Sequence, residues 1–219
     1  MPAKFALFFS MFYWAISPLI ASVSIEQNIV TYVIESPDQV SKNVFLPFKV
    51  SGSNITEVTA KSDCGCAFVQ VEKLRFSPGE SGDLYVSLSL SGMQGIQRTT
   101  AGLTWKTATD SGKTTVQIVL KTPVVYRVSG DQLIWRSGDG SERIAEITFL
   151  DNAKSAITSN TTITDKNFTV RIIDNDNGKC RVGITPINKN IHVYMDVVIP
   201  VTTTTARITS IPLKCLISE

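Results

Sequence analysis

Two cysteines separated by a single glycine, Cys64-Gly65-Cys66, are the residues of this chain best suited to chemistry. On an extended backbone, residues two apart project to one side, so both sulfurs are expected on one face with their Cα atoms roughly 6 to 7 Å apart. Three roles fit that spacing. A disulfide closes a very small ring, strained and easily reduced unless Gly65 relaxes the backbone. Free thiolates suit thiol exchange or, as two soft ligands, Cu(I); a closed zinc site needs two further ligands that no nearby position supplies. Structural, redox and metal-binding readings therefore stay open, with the structural one leading. Cys180 and Cys215 make a second pair. Cys180 shares its parity with Val182 and Ile184, and Cys215 with Ile211, Leu213 and Ile217, so both are expected to point into a core. They bond if their Cα atoms come within about 7 Å, and otherwise remain buried thiols.

Other stretches imitate active sites. Ser111-Gly112-Lys113-Thr114 ends like a phosphate-binding loop, yet Thr107 stands where the first glycine belongs and no helix follows. A hairpin turn at Asp110-Ser111-Gly112 is the expectation there. Asp174-Asn175-Asp176-Asn177-Gly178 opens like a calcium loop, but its glycine comes one residue early and the distal glutamate is missing. A plain turn is expected, with weak calcium binding as the alternative. His192 is the only histidine and no Gly-x-Ser-x-Gly occurs, so no nucleophile relay is supported. Glu35, Asp38, Glu57, Glu72, Glu80 and Asp83 are scattered over different strands and turns, and nothing pairs two of them as acid and base. Asn54-Ile55-Thr56, Asn160-Thr161-Thr162 and Asn167-Phe168-Thr169 match the glycosylation pattern, which a Thr-rich chain produces by chance. No enzyme is expected.

Cys64-Gly65-Cys66 at a strand end, a short spacer, the turn Pro78-Gly79-Glu80 and the amphipathic strand Leu84-Tyr85-Val86-Ser87-Leu88 follow one another in that order. Together they resemble the signature of an uncharacterised bacterial exported family. Its domains are Ig-like sandwiches similar to those of the hydin, abnormal-spindle and major-sperm-protein group. Family members often follow that strand with an acidic residue and a long glycine-containing loop; here residues 89–95 keep the glycines and lack the acid. The likeness covers residues 40–122 and reaches the rest only by repetition. It implies an Ig-like fold and, since no activity is established for the family, neither a reaction nor a cofactor.

The elements that must position these residues read as follows. Residues 1–24 look like a secretory signal. Lys4 supplies the positive start, residues 5–20 form an apolar run shorter than the about 20 residues of a spanning helix, and Ser22-Val23-Ser24 offers small side chains for cleavage. The mature chain is expected to begin within residues 22–25, without stable membrane insertion; an uncleaved anchor is the alternative. Residues 25–122 and 123–219 are expected to form two tandem Ig-like β-sandwich domains, cut at Thr122-Pro123. In the first, Val30 opens a strand, and Pro47 pushes the run from Phe45 through Val50 toward an edge or bulge. Pro78-Gly79 makes a tight turn before the alternation of Leu84, Val86, Leu88 and Leu90. Leu103 and Trp105 pair with Val116, Ile118 and Leu120 as a hairpin. The second domain opens at Leu133-Ile134-Trp135 and closes with a strand over residues 206–213. Ser51-Gly52-Ser53-Asn54-Ile55-Thr56 is echoed by Ser159-Asn160-Thr161-Thr162-Ile163-Thr164, as a repeat would be.

A formal charge of +2 with 18% charged residues gives no basic stripe, which argues against nucleic acid as a partner. A composition 43% hydrophobic, rich in Thr, Val, Ile and Ser and without helical periodicity, is that of a packed all-β protein. The expected function is an exported, non-catalytic Ig-like binding or structural module, periplasmic or secreted, whose partner is another cell-envelope protein. The alternative is a periplasmic thiol-redox or Cu(I)-binding protein using Cys64 and Cys66.

Overall fold

Alternating apolar and polar residues become strands throughout the computed structural model, which describes residues 20–150, 155–158, 163–164 and 166–219. The first eight strands are β1 (Ser22–Ile25), β2 (Ile29–Val33), β3 (Ser41–Ser51), β4 (Glu57–Ser62), β5 (Ala67–Val71), β6 (Ser81–Ser89), β7 (Gly95–Lys106) and β8 (Ser111–Thr122). They form two sheets, β1-β3-β6-β5 and β2-β8-β7-β4. The next nine are β9 (Tyr126–Ser129), β10 (Gln132–Arg136), β11 (Arg143–Phe149), β12 (Ala156–Ile157), β13 (Ile163–Thr164), β14 (Phe168–Asp176), β15 (Lys179–Pro186), β16 (Val193–Thr202) and β17 (Ser210–Ser218). Their sheets run β9-β11-β15-β14-β13 and β10-β17-β16-β12. In each half the strand after the first crosses to the opposite sheet and runs parallel to the last strand, β2 with β8 and β10 with β17. This is the two-sheet order of an Ig-like sandwich, made twice. The chain is all-β, two Ig-like sandwiches in tandem.

Each sandwich closes over its own core. In the first, Leu46, Phe48 and Val50 of β3 and Leu84, Val86 and Leu88 of β6 pack with Val116, Ile118 and Leu120 of β8. The last member of that core is Leu120 and the first of the second is Val125, on either side of Thr122-Pro123. In the second sandwich Trp135 is fully buried, its Nε1 donating to the carbonyl of Ser141 at 2.7 Å and its ring 5.4 Å from that of Phe168. A buried indole whose N–H is paired contributes its whole apolar area without a desolvation penalty.

The turns follow their residue chemistry. Gly79 has φ of 86°, as the residue after proline in a type II turn requires. Asn177 and Gly178, at φ of 50° and 75°, form a two-residue hairpin turn between β14 and β15. Asp174 and Asp176 consequently stand in β14 opposite Arg181 and Lys179, as strand residues and not as a calcium loop.

Several expectations change. Residues 22–25, where the mature chain was expected to begin, are β1. Ala21, Val23 and Ile25 are buried in the first core, and Ser22, Val23, Ser24 and Ile25 pair with Ser51, Val50, Lys49 and Phe48. A cut after Ser24 would remove most of that strand. The turn of the β7–β8 hairpin is at residues 107–110, where the Thr107 N–H donates to the Asp110 carbonyl at 2.7 Å and the Thr107 hydroxyl accepts from the Asp110 N–H at 2.9 Å. Ser111, Gly112, Lys113 and Thr114 therefore open β8. Gly112 is required there because the Trp105 indole lies across it; a Cβ would sit 2.2 Å from Trp105 Cζ2. Pro47 is tolerated inside β3 because β1 reaches only to Phe48, which leaves that flank of the strand without a neighbour. The last strand is β17, later than expected, and residues 203–209 are a loop. Ile55 lies before β4, whereas Ile163 opens β13, after β12, the strand that takes the place of β4 in the second sandwich, so the sequence echo does not mark equivalent positions. Residues 1–19 of the expected leader, Lys4 included, and Ser159-Asn160-Thr161-Thr162 lie outside the described residues.

Candidate functional site

The link between β4 and β5 carries the chain from one sheet of the first sandwich to the other, and Cys64-Gly65-Cys66 sits in it. Cys64 and Cys66 are joined by a disulfide with Cα atoms 5.1 Å apart. That is closer than an extended strand allows, because Gly65 and Cys66 form a turn in which the Ala67 N–H donates to the Cys64 carbonyl at 3.2 Å. Gly65 is not in the left-handed region, and a Cβ there would meet nothing within 4 Å. Glycine's freedom is thus not what permits the bond; the turn is.

The loop is tied at both ends. The Asp63 carboxylate accepts from the N–H and, through Thr99 Oγ1, from a hydroxyl of β7, at 2.8 Å from Thr100 N and 2.8 Å from Thr99 Oγ1. The Asp63 N–H donates in turn to the Thr100 carbonyl at 3.1 Å. The Cys64 N–H donates to Ser62 Oγ at 3.2 Å, and the Ser89 N–H donates to the Cys66 carbonyl at 2.8 Å. The disulfide therefore staples a crossover fastened to β7 on one side and to the end of β6 on the other. While it is closed, neither sulfur is a thiolate, so exchange or metal ligation would need reduction first. Among the described residues no group of three or more His, Cys, Asp or Glu gathers to hold a metal.

Pro78-Gly79-Glu80 is a second tie. Glu80 Oε2 accepts from the Ser77 N–H at 2.7 Å and from Lys73 Nζ at 3.0 Å, closing its own turn. The backbone of the same turn exchanges bonds with β3, Gly79 N–H to the Val50 carbonyl at 2.8 Å and Val50 N–H to the Glu80 carbonyl at 2.9 Å. These contacts hold both carboxyls below the usual range, the Thr100 N–H being the main cause for Asp63 and the Ser77 N–H for Glu80. A depressed folded-state pKa means that the unfolded chain binds more protons near pH 4, so stability rises with pH there. The contribution is fully present above the unfolded pKa, about 4, and is lost as pH falls through the folded values. Thermal midpoints measured between pH 3 and 6 are expected to fall on acidification, and Asp63→Asn with Glu80→Gln is expected to flatten that slope. An unchanged slope would remove these two carboxylates as its cause.

Cys180 on β15 and Cys215 on β17 face the second core, fully buried, but the bond between them does not form and both are free thiols. They lie on opposite sheets, Cys180 in β15 and Cys215 in β17. Burial pushes the Cys180 thiol up to about 11 and the Cys215 thiol up to about 12, so both stay protonated and unreactive. Iodoacetamide is expected to modify neither in the folded protein and both after denaturation without reductant. Peptide mapping that found them linked would reject this arrangement.

The remaining sequence candidates are dispersed. His192 is exposed just before β16. Glu57 pairs with Lys106 at 3.0 Å on the surface. Asn54 is exposed, whereas Asn167 is buried with its Nδ2 donating to Met195 Sδ at 3.4 Å. Asp38 alone takes on a role between the sandwiches, accepting from the Ala206 N–H at 3.2 Å.

That contact belongs to a junction which the sequence did not announce. Arg207, in the β16–β17 loop, is 1% exposed. Its Nη1 and Nη2 lie 3.4 Å from the carbonyls of Ser36 and Pro123, and its own carbonyl accepts from the Gly92 N–H at 2.8 Å. Beside it, Gln94 Oε1 accepts from the N–H groups of Val125 and Tyr126 at 2.9 and 3.1 Å, and its Nε2 donates to the Tyr126 carbonyl at 3.2 Å. A loop of the second sandwich and a turn of the first are thus fastened across the connecting residues. The one available sequence signal was a lone arginine in a threonine-rich stretch, which reads equally as surface.

No family model matches the chain, and no curated protein sequence matches it. Among solved structures it is similar to a protein of unknown function from Porphyromonas gingivalis W83, at 14% identity and a TM-score of 0.34, covering 92% of this chain and 100% of that one. It is also similar to the CupB2 chaperone of Pseudomonas aeruginosa, at 10% identity and a TM-score of 0.38, covering 89% and 100%. A chimeric titin Z1Z2 tandem matches at 12% identity and a TM-score of 0.39, covering 90% and 98%. At these values the Ig-like assignment rests on the chain's own strand order.

Proposed function

We propose that this chain is an exported, non-catalytic Ig-like module of the bacterial cell envelope, whose two fastened sandwiches present their surfaces to another envelope protein. The observation that carries the reading is the state of the motif cysteines. Bonded to each other within a crossover that Asp63, Ser62 and Ser89 secure, they act as a staple. Glu80 does comparable work at the other end of the motif, closing its own turn through Ser77 and Lys73. A staple maintains shape and leaves recognition to the surface, which separates this reading from thiol exchange and from Cu(I) binding.

The pair of substitutions Cys64→Ser and Cys66→Ser tests it. The loop between the cysteines is so short that the chain-entropy contribution is about 1 to 2 kcal/mol, and the variant is expected to unfold at a correspondingly lower temperature. Co-purification of envelope partners is expected to be unchanged. The wild-type protein, even after reduction, is expected to take up no stoichiometric Cu(I) against a competing chelator. One-to-one Cu(I) uptake that disappears in the double variant would overturn the proposal.

A further inference from the structure

The outer face of the sheet β1-β3-β6-β5 carries aromatic rings that the core does not use. Strand registers set its residues in rows: Phe45, Tyr85 and Gln70 lie side by side, and the adjacent row is Asn43, Ser87 and Phe68. Phe45 and Phe68 are 64% and 60% exposed. The Phe45 and Tyr85 rings, 5.2 Å apart, make a cross-strand pair of the kind that stabilises a sheet. Phe68 stands opposite Ser87, so that account does not extend to it. One step of two residues along the strand and two strands across places Phe45 and Phe68 about 12 Å apart.

Between and around the rings are neutral side chains that both donate and accept. Ser87 Oγ donates to Asn43 Oδ1 at 2.9 Å, Gln70 is exposed beside Tyr85, and Ser41 faces Ser89 in the next row. The charges of this face lie on the side of the Phe45–Tyr85 pair away from Phe68, Asp83 in the next row opposite Pro47 and Lys49 in the row beyond it. Past Phe68 the surface dips into an open trough of about 500 Å³, lined in part by Ser41, Cys66, Ser87 and Ser89. Past Phe45 is a crevice of about 150 Å³ that Glu26, Tyr32 and Pro47 help to line.

We infer that this face binds a neutral glycan, laid across β3, β6 and β5 with sugar rings stacked on the Phe45–Tyr85 pair and on Phe68. The axial C–H bonds of a pyranose present positive hydrogens to the negative face of an aromatic ring. Sugar hydroxyls donate and accept at once, as Ser, Asn and Gln side chains do. The rows that carry the rings hold no charge to select an acidic chain. Serine is depleted from the cores of protein-docking surfaces, and this one has it at positions 41, 87 and 89, which favours a sugar over a protein. The separation of the two stacking points suits a chain a few residues long, and the trough beyond Phe68 lets it continue. The inference is independent of any protein partner and of what the cysteine pair does.

Titration calorimetry of the full folded chain with hexamers of β-1,4-linked glucose and of β-1,4-linked N-acetylglucosamine tests it, with hexagalacturonate as the acidic control. At least one neutral hexamer is expected to bind, and Phe45→Ala with Phe68→Ala is expected to weaken that binding tenfold or more. This variant is expected to fold, its melting temperature lowered by about a few degrees through loss of the Phe45–Tyr85 pair. Absence of binding to both neutral hexamers would overturn the inference, as would binding unaffected by the two substitutions or tighter binding of the acidic hexamer. Sedimentation showing a dimer that these substitutions dissociate would also overturn it, assigning the face to a second copy of the chain.

Discussion

A chain that begins at Ile25 is expected to unfold about 10 to 20 °C below one that begins at Ile20. The shorter chain lacks Ala21 and Val23, both buried in the first core, a loss of about 2 to 3 kcal/mol of apolar burial. It also strips the pairing partners from Lys49, Val50 and Ser51 and leaves the Thr114 hydroxyl without the Val23 carbonyl to which it donates. The seat for this segment is built closely. Gly52, at φ of 83°, approaches Ile20 so nearly that a Cβ would stand 2.1 Å from the Ile20 carbonyl oxygen. Ser22 and Ser24 are therefore the outward residues of an edge strand, and their small size suits that place as well as it suits a processing site. If a leader is removed, the junction compatible with an intact sandwich lies before Ala21. Circular-dichroism melts of the two chains, both produced without residues 1–19, decide the matter. Equal midpoints would show that β1 is dispensable and restore the cut after Ser24.

How much of this was legible depends on whether a feature is local. The alternation of Leu84, Val86 and Leu88 with Asp83, Tyr85 and Ser87 gave β6 its inner and outer faces directly. Pro78-Gly79 and Asn177-Gly178 announced their turns because positive φ is a single-residue property that glycine and asparagine satisfy. The inward parity of Cys180 and Cys215 was legible for the same reason, while whether they meet was not, since that depends on where β15 and β17 lie across the core from each other. β1 was hidden because the same alternation of small and apolar residues satisfies two different requirements. The Cys64–Cys66 turn was read as a strand end because the Ala67 N–H to Cys64 carbonyl bond that closes it is not announced by residue type, and the bonds that Asp63 accepts from Thr99 and Thr100 of β7 join residues far apart in the chain. Arg207 shows the limit most clearly, because what makes it important is a contact with the other sandwich.

Substituting Arg207 by alanine is expected to cost about 3 kcal/mol and to free the two sandwiches to move against each other. The side chain fills a fully buried space, and its removal leaves a cavity and strands the carbonyls of Ser36 and Pro123. Arg207→Met separates packing from charge. Burial pulls the arginine's pKa down, with Asp38 as the opposing influence, and its Nε has no partner among the described residues. A buried cation held by contacts as long as 3.4 Å is not an efficient source of stability. Methionine, apolar but shorter, refills part of the space without a buried charge and leaves the same two carbonyls stranded, so it is expected to restore part of the unfolding free energy. It is not expected to restore the fixed angle. Hydrogen bonds to two carbonyls, one in the first sandwich and one in the link, are directional, whereas an apolar plug tolerates sliding. Small-angle scattering is expected to give one compact interdomain arrangement for the wild type and a broadened distribution for both variants, with cleavage near residue 123 by a low concentration of protease rising in parallel. A methionine variant as rigid as the wild type would show that shape, not hydrogen bonding, fixes the junction. An alanine variant unchanged in stability would show that the junction is held by Gln94, whose three bonds to Val125 and Tyr126 would then be sufficient.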